Sequence, residues 1–143
     1  MAKIIITERQ YNLIKEHLSE DIDPDEAYSD KGAVQTVING KRNVGFLATY
    51  YEDAKVLLSD AKKAGLKVIS MLQDRHRGST ANIIYRDGFE EEAMRLAKIA
   101  RRNGGYLPIN TPEETYEIGM LLGYHEDKVK EFVQDKFPDF KFY

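Results

Sequence analysis

The sequence has no cysteine among its 143 residues. This absence excludes disulfide bonds, thiolate nucleophiles and thiolate metal sites together. The chain also lacks a strong charge of either sign, since 21 Lys and Arg stand against 24 Asp and Glu, for a formal net charge of −3. A protein that coats duplex nucleic acid carries an overall positive field, which this chain does not have. Any anion-binding site must therefore come from a local cluster of cations.

Long apolar runs and metal-binding motifs are missing as well. No run approaches the length of a membrane-spanning helix, and the apolar residues 4–6 are too few for the core of a signal peptide. The three histidines, His17, His76 and His125, form no His-Glu-x-x-His motif or other metal-ligand pattern. We therefore expect a soluble, cytoplasmic protein with no metal and no cofactor. The hydrophobic content of 42% is enough for one core, which predicts a single domain over residues 1–143.

Two strand-like runs joined by a basic loop lie at the centre of the chain. Residues 68–72 and 83–85 are rich in β-branched and aromatic side chains, which predicts two strands. Arginine side chains, hydroxyls and backbone N–H groups are the donors that bind a phosphate or carboxylate. The loop therefore predicts an anion-binding site, whose residues are Arg75, His76, Arg77, Gly78, Ser79 and Thr80. The alternative is a solvated turn with no ligand.

Four further residues are candidates for the same site. Arg86 follows the second strand, and Tyr85 is a ring that would stack on a base beside the arginines. Lys41 and Arg42 follow an Asn-Gly pair, which predicts the tip of a β-hairpin between residues 33–38 and 44–49. These two cations join the site if the hairpin folds over the same end of the sheet.

His76 is the candidate for general acid–base catalysis, since it alone of the three histidines lies among other site residues. That role requires a carboxylate to orient the imidazole, and Asp74 or Asp87 is near enough in sequence to supply one.

Helix caps and apolar periodicity predict the remaining elements. Residues 19–31 are acidic and predict a loop, while residues 106–109 predict an edge strand because they contain a proline. The last two helices predict a C-terminal αα-hairpin over residues 111–136. The predicted helices span residues 8–19, 52–64, 89–102, 112–122 and 127–136.

The order of these elements predicts an α+β fold, a single-domain two-layer sandwich with helices on one side of the sheet. The sheet is expected to be mostly antiparallel. A crossover through residues 44–49, 52–64 and 68–72 would pair two parallel strands and make the sheet mixed.

Two resemblances bear on function. Residues 4–11, Ile-Ile-Ile-Thr-Glu-Arg-Gln-Tyr, resemble the starts of small uncharacterised bacteriophage proteins, which implies action on host nucleotide or nucleic-acid pathways in the host cytoplasm. Three further segments resemble parts of the second half of the GNAT acyltransferases. They are Arg75-x-Arg77-Gly78, residues 110–112 and Leu-Leu-Gly-Tyr at residues 121–124. This second resemblance implies a loop that wraps the pyrophosphate of acetyl-CoA, with a helix that starts at the loop.

The sequence therefore predicts a small protein that binds a phosphate-bearing ligand, a nucleotide or a nucleic acid, through the basic loop. A non-catalytic interaction protein that forms a homo-oligomer is the alternative. Four aromatic residues in the last seven, Phe137, Phe140, Phe142 and Tyr143, favour it, because a partner subunit would cover them. An acyltransferase remains the third possibility.

Overall fold

The structure is a computed structural model, and it describes residues 29–142. The helix predicted for residues 8–19, His17, most of the acidic stretch and the phage-like residues 4–11 lie outside the described residues. No helix within residues 29–142 is long and apolar enough to cross a membrane. The elements are α1 (Asp30–Ile38), β1 (Val44–Tyr50), α2 (Tyr51–Lys63), β2 (Lys67–Leu72), β3 (Ser79–Tyr85), α3 (Glu90–Arg102), α4 (Pro112–Leu121) and α5 (Glu126–Lys136).

The sheet has three strands in the order β1-β3-β2, and both pairings are antiparallel. Asn82 at the middle of β3 lies opposite Leu47 of β1 and Ser70 of β2, which fixes the register. The crossover through α2 does join two parallel strands, but β3 lies between them, so no parallel pair forms. The predicted α+β class with an antiparallel sheet is confirmed.

Helices cover both faces of this sheet. Ile84 and Leu47 face one hydrophobic cluster with α1 and α2, while Ile83 and Phe46 face the other with α3, α4 and α5. Every residue of β3 is buried, as expected for a central strand that is covered on both sides. The sequence led us to expect helices on one side only, but α1 and α2 pack on the face opposite α3, α4 and α5.

Residues 33–38 form most of α1, so the predicted strand there and its hairpin with β1 are wrong. Ser29 caps the helix, since its hydroxyl accepts a hydrogen bond from the backbone N–H of Gly32 at 2.9 Å. Val34 and Val37, one turn apart, are fully buried. Asn-Gly serves as the helix C-terminus, with Gly40 at φ +75°, because the left-handed conformation that suits a hairpin tip also ends a helix.

The C-terminal αα-hairpin is confirmed. Thr111 caps α4 by accepting a hydrogen bond from Glu114 N at 3.2 Å, and Pro112 occupies the first turn. Residues 106–109 form no strand; they run as an extended segment between α3 and α4. The tail folds back on its own chain, where the Phe142 ring lies 4.8 Å from Phe140 and 5.5 Å from Tyr116 between centroids. Phe140 is buried by these contacts, whereas Phe142 remains partly exposed, and its coverage by a partner subunit stays a prediction.

A charged cluster joins β2 to the turn before α3. Lys67 Nζ lies 3.0 Å from Asp87 Oδ1 and 3.0 Å from Glu90 Oε1. The hydrogen bonds that the Lys67 ammonium donates to these carboxylates, Asp87 first, raise the pKa of Lys67. The backbone N–H of Glu90 itself and then Lys67 lower the pKa of Glu90 to about 2.

We predict that this cluster contributes an acid-dependent part of the stability. A carboxyl with a lowered pKa stabilises the fold above its unfolded value, near 4.5, and that contribution disappears as the pH falls towards 2. Glu90→Gln should therefore lose less stability than the wild type between about pH 5 and pH 2, measured as the urea midpoint. Glu131→Gln, an exposed carboxylate on α5, is the control. If the urea midpoint fell equally with pH in the wild type and in Glu90→Gln, Glu90 would not be the source of this acid-dependent stability.

Candidate functional site

The basic loop, residues 75–78, lies at one end of the sheet between β2 and β3. Backbone bonds from Ser79 N to His76 O (3.0 Å) and from Gln73 N to Ser79 O (3.1 Å) close the turn, and Gly78 has φ +81°. Arg75, His76 and Arg77 are exposed. The loop leads directly into β3, whereas the acyltransferase resemblance implies a helix at this point.

Tyr106 holds two side chains of this loop. Its hydroxyl lies 2.6 Å from Nδ1 of His76, and the Arg75 guanidinium carbon lies 3.9 Å from the centroid of its ring. With the imidazole neutral and protonated on Nε2, the tyrosine O–H donates to Nδ1 and leaves Nε2–H for a ligand. The stacked guanidinium makes a cation–π contact. Tyr106 therefore arranges the loop, although the sequence analysis did not select it.

Neither expected carboxylate is bonded to His76. Asp87 lies at the opposite end of the sheet with Lys67, and the Asp74 carboxylate is 3.9 Å from Arg75 Nε. Within residues 29–142, the hydrogen-bond partner of His76 is the phenol of Tyr106. Within the described residues, no carboxylate is bonded to the imidazole to orient it for general acid–base catalysis.

Two consecutive glycines place Tyr106 beneath the loop. Gly104 and Gly105 both have positive φ, +68° and +93°. Their carbonyls accept hydrogen bonds from Asp74 N (3.0 Å) and Gln73 Nε2 (2.9 Å), so the segment lies against the end of β2. A Cβ at Gly105 would lie 2.5 Å from the carbonyl oxygen of Leu72. A helix C-terminus needs only one glycine, so the second glycine was the feature of the sequence that indicated a close backbone contact at this point.

An apolar cleft of about 750 Å³ lies on the face of the sheet that carries α4 and α5. This volume is in the range of small-molecule sites, roughly 300–1,000 Å³. Its lining includes Phe46, Gln73, Tyr106, Leu107, Tyr124 and Phe132. Since Tyr106 also contacts Arg75 and His76, the cleft and the basic loop are contiguous.

Four of the predicted site residues lie at the other end of the sheet. Arg42 is 1% exposed, and its guanidinium is bonded within the core. Arg86 donates to the carbonyl of Val37 at 3.2 Å, and Tyr85 packs in the core beside α3. Lys41 is exposed near the end of α1. The structure therefore does not bring these four residues to the basic loop, although Arg42 is among the residues that line the apolar cleft.

Ser79 and Thr80 belong to β3, and their hydroxyls are already engaged. Ser79 Oγ lies 2.5 Å from Gln73 Oε1, and Thr80 Oγ1 accepts a hydrogen bond from Asn82 Nδ2 at 3.1 Å. Both residues are buried. Of the predicted residues, the structure thus groups Arg75, His76, Arg77 and Gly78 at the surface.

Comparison with known proteins gives a likeness of fold. No protein-family model matches the chain, and no curated protein matches it. The crystal structure of the bacterial cysteine methyltransferase effector NleE is similar, with a TM-score of 0.64 and 19% sequence identity, over 89% of this chain and 73% of that one. At this identity the likeness extends to the fold alone.

Proposed function

We propose that the protein binds a nucleotide, with the phosphate on the basic loop and the base in the apolar cleft. The observation that carries this proposal is the position of Tyr106, which borders the cleft and contacts both Arg75 and His76. Guanidinium groups suit phosphate oxygens because they donate two parallel hydrogen bonds. Aromatic and apolar walls suit the flat face of a base.

The loop is partly ordered before any ligand arrives. Arg75 lies on the Tyr106 ring and His76 is bonded to its hydroxyl, so less side-chain freedom is lost when a ligand binds. Arg77 remains exposed at the surface of the loop. These features favour a binding site over a solvated turn.

The test is a thermal-shift series with AMP, ATP, cyclic dinucleotides and acetyl-CoA on the wild type, Arg77→Ala and Lys98→Ala. Lys98 is an exposed cation on α3, so Lys98→Ala changes the net charge by the same amount as Arg77→Ala and serves as the control. We expect a nucleotide to raise Tm by several degrees, since a ligand at 100 times its Kd adds about 2.7 kcal/mol. Arg77→Ala should weaken binding by roughly ten- to a hundredfold, the size of a charged hydrogen bond, and Lys98→Ala should not. No shift with any nucleotide would contradict the proposal.

Methyl transfer is a second candidate, favoured by the likeness to NleE over 89% of this chain. A sulfonium donor such as S-adenosylmethionine contains an adenosine, for which the apolar cleft has room, and a carboxylate that Arg75 would bind. The acceptor thiolate would form a bond to the methyl carbon while the carbon–sulfonium bond breaks and a neutral thioether leaves. That thiol must come from another molecule, since this chain has no cysteine. S-adenosylmethionine is therefore included in the thermal-shift series. Stabilisation by this compound and by no nucleotide would favour methyl transfer over nucleotide binding.

A further inference from the structure

A second groove, of about 640 Å³, lies on the opposite face of the sheet, between α2 and strands β2 and β3. On one side it is lined by α2, including Tyr51, Lys55 and Lys62. Its floor includes Ser70, Thr80 and Asn82 of the sheet. We name it the lysine groove.

Most charges of α2 are divided between its two sides, and Glu52, three residues before Lys55, is the acidic residue on the lysine side. At 100° per residue, Lys55 and Lys62 lie two turns apart on the same side as Tyr51, whereas Asp53 and Asp60 lie about 160° away around the helix. Both lysines are exposed, and neither forms an ion pair with any residue in the described range 29–142. The groove is therefore locally positive in a chain whose net charge is −3.

The floor of the groove is polar where a helix-packing surface would be apolar. Asn82 is 1% exposed; its amide donates to Leu47 O (3.2 Å) and Thr80 Oγ1 (3.1 Å), and its oxygen accepts from Ser70 Oγ at 2.7 Å. This row of side chains is fixed by its own hydrogen bonds. Further along the same face, Ile84 packs in the apolar cluster with α1 and α2. Within this row Ser70 is exposed and can contact a polar ligand, whereas Asn82 and Thr80 are buried beneath it.

The groove opens onto the basic loop. The backbone N–H of Tyr51 donates to Gly78 O at 2.9 Å, and the side chains of Tyr50 and Tyr51 are 59% and 57% exposed. The exposed Tyr51 ring, which also lines the groove, thus lies where the groove meets the basic loop. Aromatic rings on which bases stack, beside cations that follow the backbone, are typical of surfaces that bind single-stranded nucleic acid.

We infer that the lysine groove binds single-stranded nucleic acid. Backbone phosphates lie along Lys55 and Lys62, a base stacks on Tyr51, and the strand reaches the basic loop past Gly78. This inference rests on the proposed function, because it identifies the nucleotide at the loop as part of a longer strand. The low net charge fits a single strand better than a duplex, whose denser phosphates require more cations.

The test compares a mononucleotide, thymidine monophosphate, with oligothymidylate of about eight nucleotides, a length within the range that single-strand-binding domains cover. Thermal shift measures the first and fluorescence anisotropy the second, on the wild type, Lys55→Ala/Lys62→Ala and Arg77→Ala. The control is Lys98→Ala/Lys141→Ala, which removes two exposed cations elsewhere. We expect the groove variant to bind the oligonucleotide at least about tenfold more weakly. Its slope of log K against log salt should fall by about 1.4, or 0.7 for each lost phosphate contact.

The outcomes separate the two proposals. Mononucleotide binding should survive in the groove variant and weaken in Arg77→Ala. Equal oligonucleotide affinity in the wild type and the groove variant, or equal losses in the groove variant and the control, would overturn the groove inference and leave nucleotide binding at the loop intact. An oligonucleotide that binds no better than the mononucleotide would also overturn it. A wild type that binds neither probe would overturn the groove inference, and the same result throughout the nucleotide series would overturn nucleotide binding at the loop as well.

Discussion

Replacement of Arg42 by alanine should destabilise the protein by about 3 kcal/mol or more, the largest effect that we expect from a single charged residue. The guanidinium is 1% exposed, and it donates to Thr36 Oγ1 (2.7 Å), Leu122 O (3.1 Å) and Ala33 O (3.2 Å). These acceptors belong to α1 and to the end of α4, so one side chain ties together helices on the two sides of the sheet. Alanine would remove the shared donor of these three acceptors and open a cavity.

Urea denaturation of two further variants separates these contributions. Arg42→Met keeps most of the volume and removes the donors, so it reports the hydrogen bonds. Arg86→Ala is the matched control, since this half-buried arginine makes one hydrogen bond, to Val37 O, and its loss should amount to about 1 kcal/mol. A folded Arg42→Ala protein with wild-type stability and no nucleotide binding would restore the ligand-binding role that the sequence predicted.

Gly105→Ala should both destabilise the protein, by roughly 2–4 kcal/mol, and abolish ligand binding at the basic loop. Gly105 has φ +93°, and its added Cβ would lie 2.5 Å from the backbone carbonyl oxygen of Leu72, which cannot move without disturbing β2. The segment must therefore shift, and Tyr106 shifts with it. Arg75 would lose its stacking partner and His76 its hydrogen bond.

Gly65→Ala isolates the steric part of this effect. Gly65 also has positive φ, +84°, but a Cβ there would meet nothing within 4 Å. We expect this control to lose about 1 kcal/mol from backbone strain alone, with unchanged nucleotide binding. The measurements are urea denaturation and the thermal-shift titration. If both alanine variants had the same stability and the same affinity, the close packing of Gly105 would not position the site.

The sequence predicted those parts of the fold that local chemistry determines. The cap at Thr111, the glycine stop after α2 and the division of charge along α3 gave four helices to within a few residues. Residues 33–38 were ambiguous because a short apolar run fits a buried helix as well as a strand. Asn-Gly did not resolve the choice, since its left-handed conformation suits both a turn and a helix end.

The site was harder to predict because burial of a cation is a property of the tertiary structure. Arg42 and Arg75 look alike in sequence, yet one is buried in the core and the other lies exposed on Tyr106. Tyr106 comes to the loop across 30 residues of chain, through backbone contacts that no local pattern records. Arg75 and Arg77 lie in the same loop because they are close in sequence. Lys41 and Arg42 were assigned to the site through a predicted hairpin that does not form, and they lie elsewhere.

The central position of β3 has a consequence for how the protein can change. Thr80 and Asn82 line the lysine groove and Ile84 packs further along the same face, while the odd-numbered residues face the side of the sheet that carries α3 and α4. One strand therefore separates the two surfaces. Insertion or deletion of a single residue that shifted this strand would exchange them, turning Asn82 towards apolar side chains and Ile83 towards the lysines. Loop 73–78 is therefore constrained in length as well as in its site residues, because a length change that shifted β3 would exchange its two faces.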